Sequence, residues 1–209
     1  MDIDSYEERK VRWLPLSLFL GVIVLGLAVL IFKDDTDLRS PLEPNLGCLV
    51  MQDNGNYKDS INIIFLGTSY TNIDKFKKDS ENMMNTFLST EPYPSYKDRF
   101  NFFRIEEFGN YGCKYDDAVV CNPSMAQRES IKCPGHDYVI ILTDYSNVKN
   151  FFRHLRSSAW LNVASLNVVD DPLVFPHEFA HIFADFADEY EFGGKIDWNA
   201  PNCDNEKLT

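Results

Sequence analysis

Positive charge is scarce in this 209-residue sequence, which has 20 Lys and Arg against 32 Asp and Glu and a formal net charge of −12. Proteins that bind nucleic acid need basic residues to neutralise phosphates, so this balance argues against DNA or RNA as a partner. The sequence also has no internal repeat and no low-complexity tract. Its 44% hydrophobic content is rich enough for a packed core, which excludes a wholly disordered chain.

Cysteine is sparse, and none of the five cysteines precedes position 48. No C-x-x-C spacing occurs, which argues against a structural zinc site built from thiols. All five follow the long apolar segment described below, a distribution that suits an oxidising compartment and disulfide bonds. Cys113, Cys121 and Cys133 are close in sequence, so we expect a disulfide between two of them. The odd number leaves one cysteine unpaired.

Ionisable residues are absent from one segment, Trp13 to Phe32. As a helix these 20 residues would be about 30 Å long, which matches the hydrocarbon core of a bilayer. No small-x-small cleavage pattern follows, so a transmembrane helix is favoured over a signal peptide. Arg9, Lys10 and Arg12 predict that residues 1–12 form a cytoplasmic tail and that the rest lies outside the cell membrane. The lipid bilayer is therefore an expected partner.

Residues 33–58 are rich in Asp, Pro, Asn and Gly, a composition that is typical of a linker, so we place the folded domain at residues 59–209. Short apolar runs predict strands at 61–66, 99–105 and 138–142, and a further strand at 160–163. Helical periodicity follows Thr71 and Asp74, which resemble a capping box, and a short helix is predicted at 123–131. Strands separated by helices indicate an α/β fold.

His177-Glu178-Phe179-Ala180-His181 is the strong chemical motif of the sequence. Two histidines four residues apart on a helix project from one face and can bind the same zinc ion, and Glu178 can accept a proton from an activated water. With four histidines in the chain, chance would produce an H-E-x-x-H pattern with a probability on the order of 0.004. The motif predicts Zn²⁺ as cofactor.

A catalytic zinc site usually has a third protein ligand, and no histidine follows His181. Carboxylates at Asp185, Asp188 and Glu189 are available in the next segment. If the helix continued unbroken, Asp188 would lie about 16 Å from His177, beyond chelating reach. The helix must therefore end soon after His181 and the chain must turn back. The residue types leave Asp188 and Glu189 as alternatives.

The segment HEFAHIFADFADEY resembles the active-site signature of the IgA peptidase family of zinc metallopeptidases, whose members typically read HEFGHSF followed by a glycine-containing step and DEY. NIIFLGTSYT and CPGHDYVIILTDY are also similar to that family's catalytic domain, in the same order. The resemblance covers roughly residues 60–204. It implies a metzincin-like zincin domain, with a mixed sheet and an active-site helix, and a protein or peptide substrate.

By position, the resemblance implies zinc ligands at His177, His181 and Asp188 and a general base at Glu178. Tyr190, or a residue of chain beyond Thr209, is a candidate for stabilising the oxyanion. Ala184 and Asp185 stand where the family has glycine, so the resemblance places the left-handed turn at Asp185. It also implies further chain beyond Thr209, as in a C-terminally truncated family member.

These observations predict a membrane-anchored zinc metalloendopeptidase that uses an activated water, with Glu178 as general base. The alternative is an inactive peptidase-like module that binds zinc or protein at the cell surface. A serine hydrolase is disfavoured, because Gly67-Thr68-Ser69-Tyr70-Thr71 lacks the final glycine of a nucleophile elbow.

Overall fold

A computed structural model describes residues 47–145, 155–188 and 200–203. The expected cytoplasmic tail 1–12, the expected transmembrane helix 13–32 and Tyr190 lie outside these ranges. Within them, no helix combines the length and the apolar character that crossing a membrane requires. The described residues form a mixed α/β fold around a six-stranded sheet, in agreement with the α/β class that the sequence predicts.

The described strands are β1 (Cys48–Gln52), β2 (Ile61–Thr68), β3 (Phe100–Phe108), β4 (Lys114–Tyr115), β5 (Val119–Val120), β6 (Tyr138–Thr143), β7 (Ser158–Trp160) and β8 (Val163–Asn167). The described helices are α1 (Ile73–Ser89), α2 (Pro123–Ser130) and α3 (Val174–Ala184), with a 3-10 helix at Tyr93–Arg99. The main sheet has the order β1-β3-β2-β6-β8-β7, and β4 pairs with β5 in a separate ribbon.

The four central strands, β3, β2, β6 and β8, run parallel, and the outer strands β1 and β7 are antiparallel to their neighbours. Parallel strands are covered on both faces, which explains why β2 and β6 are almost continuously apolar and buried. Side chains that alternate along these strands enter two separate cores. One core lies against α1 and α3, and the other lies against α2 and the cysteine-bearing loop.

Helix α1 packs through Phe76, Met83 and Phe87, which recur at helical spacing and are buried. Its N-terminal cap differs from the predicted capping box. The Asn72 side chain accepts hydrogen bonds from the backbone N–H groups of Asp74 and Lys75, at 2.8 and 3.3 Å, so the cap is one residue later than Thr71.

Strand β1 lies within residues 33–58, which the sequence analysis assigned to a linker. It pairs antiparallel with β3, so the folded domain begins before residue 59. Leu49 and Val50 are exposed on this edge strand, and the side chain of Gln52 donates to the Phe100 carbonyl. The strand itself, CLVMQ, is apolar, but it is short and the Asp, Pro, Asn and Gly residues on either side of it give the segment 33–58 the composition of a linker.

The predicted strand at 160–163 is instead the turn of a hairpin. Leu161 and Asn162 both have positive φ, at 51° and 62°, and they join β7 to β8. Positive φ at both central residues is the geometry of a two-residue hairpin turn, which is usually marked by Asn-Gly. Because Leu-Asn occupies these positions here, the sequence did not reveal the turn.

Two disulfide bonds are present. Cys113–Cys121 is a pair within the three candidates, as predicted, whereas the third candidate, Cys133, bonds to Cys48. The second bond links edge strand β1 to the chain that follows α2, across 85 residues of sequence. Cys203 is the free cysteine of the described residues.

Loop length predicts that the two disulfides stabilise the fold unequally. We expect the double variant Cys48→Ser, Cys133→Ser to lose about 4 kcal/mol of unfolding free energy, because its bond closes a long loop in the unfolded chain. The matched variant Cys113→Ser, Cys121→Ser, whose bond closes a short loop, should lose about 2–3 kcal/mol. Urea denaturation would measure the unfolding free energy of both variants. A larger loss for the variant without the short-loop bond would contradict the prediction.

Candidate metal centre

Helix α3 carries the H-E-x-x-H motif and is held by aromatic packing. Phe175 and Phe179 are fully buried on its inner face, and both rings contact Phe87 of α1, with centroids 4.8 and 5.1 Å apart. Phe175 also contacts Phe65 of the central strand β2. These contacts turn the opposite side of the helix, which bears His177 and His181, towards solvent.

Pro176 lies in the first turn of α3, where backbone N–H groups have no partner within the helix. Proline has no backbone N–H, so at this position it removes no hydrogen bond from the helix. Asp171 stabilises the chain just before the helix, because its carboxylate accepts a hydrogen bond from the backbone N–H of Leu173 at 2.9 Å. The helix begins at Val174, so His177 lies inside regular helix.

Helix α3 ends at Ala184, and Asp185 adopts the left-handed conformation with φ 56° and ψ 36°. This is the residue at which the sequence placed the turn. The backbone N–H of Asp185 points to the Ala180 carbonyl, and that of Phe186 does so at 3.5 Å. Aspartate adopts this conformation more readily than most non-glycine residues, because its short polar side chain tolerates it.

The turn brings Asp188 to the two histidines. Its Oδ1 lies 3.2 Å from His177 Nε2 and 3.2 Å from His181 Nε2, and the two Nε2 atoms are also 3.2 Å apart. Within the described ranges this is the one group of three potential ligand residues that converges closely enough to hold a metal ion. At zinc–ligand distances of about 2.0–2.1 Å, tetrahedral ligand atoms are about 3.3 Å apart. The triangle therefore fits Zn²⁺.

The His181 ring is oriented by its other nitrogen. Nδ1 lies 2.6 Å from the Phe186 carbonyl oxygen, which can only accept, so Nδ1 carries the proton. Nε2 then presents its lone pair towards Asp188 and His177. A backbone carbonyl in this position is the usual partner of a metal-binding histidine, because it fixes the tautomer and the ring orientation.

Glu178 is buried, with 8% of its surface exposed, although it borders the same cleft as the histidines. The pKa of its carboxyl group is raised to about 7, mainly by burial. The charge of His181 opposes this shift, the carboxylates of Asp188 and Asp170 add to it, and Arg156 also opposes it. A carboxyl group with this pKa can exchange a proton near neutral pH. Its place next to a convergent ligand set matches the general-base role that the motif predicts.

The three ligand side chains open into a cleft of about 910 Å³. His177 and Asp188 keep 43% and 35% of their side-chain surface exposed, and His181 keeps 17%. Strand β7 and the exposed side chains of Trp160 and Leu161 line the cleft, together with Phe183 of α3. A structural zinc site is normally closed by four protein ligands, whereas the part of the chain that the structure describes offers three here, and they are accessible.

Two of the predicted site residues are not placed by the structure. Glu189, the alternative to Asp188, and Tyr190 both lie outside the described residues. Ser69, the candidate nucleophile of the disfavoured serine hydrolase, hydrogen-bonds through Oγ to the Tyr115 hydroxyl at 3.2 Å rather than to a histidine. The sequence analysis missed the cleft wall formed by β7, because the hairpin turn at Leu161 and Asn162 lacks a glycine signal.

No protein-family model matches the sequence of this chain, and no curated protein matches it. The resemblance to the IgA peptidase family therefore rests on the motifs quoted above.

The left-handed residue at the end of α3 should tolerate glycine and reject a β-branched side chain. We expect Asp185→Gly to leave the free energy of unfolding within about 0.5 kcal/mol of the unsubstituted protein, and Asp185→Val to lower it by about 1–2 kcal/mol. Both variants lose the carboxylate, so a difference in stability between them does not arise from the lost charge. Urea denaturation measures the difference, and equal stability of the two would show that the turn is not strained.

Proposed function

We propose that this protein is a zinc metalloendopeptidase. The observation that carries the proposal is the triangle of His177, His181 and Asp188, with ligand atoms 3.2 Å apart, beside the buried carboxyl of Glu178 and open to a cleft. Three protein ligands leave one coordination position for a water or a substrate oxygen, which is the arrangement of a catalytic zinc.

In the proposed reaction, each residue of the site has a separate role in hydrolysing the peptide bond. A zinc ion at this site would polarise the scissile carbonyl and lower the pKa of a water beside it. Glu178 accepts the proton of the attacking water and passes it to the nitrogen of the leaving amine. Asp188 supplies negative charge to the ligand set, and the Phe186 carbonyl holds the His181 ring in place.

The cleft also suits an extended peptide, because β7 is an edge strand of the main sheet. Residues that flank a two-residue hairpin turn hydrogen-bond to each other, so Trp160 pairs with Val163 and the N–H and C=O of Ala159 point away from β8. An extended substrate can pair with these groups as an added strand and lie across the zinc ligands. This geometry favours peptide-bond hydrolysis over the hydrolysis of small esters.

We propose, further, that the domain is a metzincin-like member of the IgA peptidase family. The support is the order of motifs in the sequence and the turn at Asp185, which returns Asp188 to the site as glycine would in that family. Tyr190 is the proposed oxyanion-stabilising residue. Asp188 is preferred to Glu189 as third ligand because its carboxylate already contacts both histidines.

We place the catalytic domain outside the cytoplasm, anchored by the apolar segment 13–32. Two disulfide bonds in the folded domain support this location, since disulfides persist in oxidising compartments and are rare in the cytosol. The short N-terminus would remain cytoplasmic because of its basic residues. The proposed substrate is a protein or peptide, and nucleic acid is not an expected partner.

Zinc content and peptide cleavage should separate the roles of the motif residues. We expect the full chain to bind about one zinc ion, His177→Ala to lose it, and Glu178→Gln to retain it while cleavage falls by about 10³-fold or more. His136→Ala, at an exposed histidine outside the cleft, is the matched control and should retain both properties. Metal analysis and cleavage of a peptide library provide the measurements.

A Glu178→Gln protein that cleaves at the unsubstituted rate would exclude the mechanism. Zinc binding by the unsubstituted chain without cleavage of any peptide would instead favour the alternative, an inactive peptidase-like module that binds zinc or protein.

Trp160 should contribute to substrate binding rather than to folding, because 66% of its surface is exposed where it borders the cleft. We expect Trp160→Ala to lower kcat/KM for peptides with bulky apolar residues by about tenfold and to leave zinc content unchanged. Ile131→Ala removes a comparably exposed apolar side chain outside the described cleft, and it should leave kcat/KM unchanged. Equal effects of the two substitutions would refute a specific role for Trp160.

A further inference from the structure

The position of Asp188 depends on a short segment without regular secondary structure. Residues 185–188 follow the end of α3, and the hydrogen bond that joins Phe186 N–H to the helix is long, at 3.5 Å. The His181 ring contacts the Phe186 carbonyl, but this contact orients the ring as much as the chain. A further restraint is needed to hold the next two residues, Ala187 and Asp188, against the histidines.

That restraint comes from Asn202. Its Oδ1 accepts a hydrogen bond from the Ala187 backbone N–H at 2.9 Å, and its Nδ2 donates to the Ala187 carbonyl at 2.8 Å. The side-chain amide therefore binds both main-chain groups of one residue, as a neighbouring strand would. The two bonds fix the peptide planes on either side of Ala187, and the second of these planes contains the backbone nitrogen of Asp188.

Asn202 is itself held in a turn. The Cys203 backbone N–H donates to the Ala200 carbonyl at 3.0 Å, which closes a four-residue turn with Pro201 in the second position and Asn202 in the third. Proline fixes φ at its position, and asparagine is common in turns of this kind. Ala200, the first residue of this turn, is buried, with 7% of its surface exposed.

We propose that Asn202 is a positioning residue that holds the Asp188 carboxylate at the metal centre. This inference rests on the proposed function, because it assumes that His177, His181 and Asp188 bind zinc. Without the two hydrogen bonds, the 185–188 segment would sample other conformations, and zinc binding would have to select the one that brings Asp188 to the histidines. The apparent affinity for zinc would then equal the affinity of the competent conformation multiplied by the fraction of chains that adopt it.

The test is the zinc affinity of full-chain variants, measured by competition with a chromophoric chelator. We expect Asn202→Ala to bind zinc about tenfold more weakly than the unsubstituted chain. Asn202→Asp keeps the acceptor for Ala187 N–H and loses the donor to the carbonyl. It should also bind zinc more weakly, although its added negative charge would by itself attract the cation.

The matched control is Asn122→Ala. Asn122 caps α2 by accepting from the Met125 backbone N–H, so its removal should cost stability without moving Asp188. We expect Asn122→Ala to lower the Tm and to leave zinc affinity within about twofold. If Asn202 had only a structural role, Asn202→Ala would behave like Asn122→Ala, with a lower Tm and an unchanged affinity for zinc.

The outcomes separate the two proposals. If the unsubstituted chain binds zinc and Asn202→Ala binds it within about twofold, the positioning role is refuted and the proposed function stands. If Asn202→Ala does not fold, Asn202→Asp decides, and an affinity equal to or above that of the unsubstituted chain refutes the role. If the unsubstituted chain binds no zinc, the proposed function itself fails.

Discussion

The candidate site depends on one backbone conformation, the left-handed Asp185 that ends α3. A continuous helix would carry Asp188 about 16 Å from His177 along its axis, but the turn places its carboxylate oxygen 3.2 Å from the histidine nitrogen. The conformation costs some free energy for a residue with a side chain. It persists because the residues that precede it are fixed in a packed helix and the residues that follow it are hydrogen-bonded to His181 and Asn202.

The packed helix in turn depends on the sheet. Phe175 and Phe179 enter a core of aromatic rings contributed by α1 and the central strands, so α3 can neither rotate nor slide without opening that core. Its outer face then has a defined orientation relative to β7, the edge strand that borders the cleft. The same sheet therefore sets the direction of the histidines and provides the edge strand that borders the cleft.

Charge is concentrated in the same region. Residues 170–209 contain ten acids and two lysines, and they contribute −8 of the net −12. Within the cleft, Asp170 and Asp188 raise the pKa of Glu178, whereas a divalent cation would oppose them. The acidity that argued against nucleic acid is thus concentrated in a segment whose Asp170, Glu178, Asp185 and Asp188 line the cleft at the candidate metal centre.

The elements with strong local signals follow from the sequence itself: the buried strands β2 and β6, the short helix α2 after Asn122, and the placement of His177 and His181 on one face of a helix. It also predicted that the chain turns back after His181 if a following carboxylate is to reach the histidines, because a continuous helix would hold Asp188 about 16 Å from His177. Contacts between residues distant in sequence become evident in the folded chain. The pairing of β1 with β3, the Cys48–Cys133 bond and the contact of Asn202 with Ala187 join segments separated by 15 to 85 residues. In each of these three contacts, the residues next to one partner in the sequence do not indicate which distant residue the other partner will be.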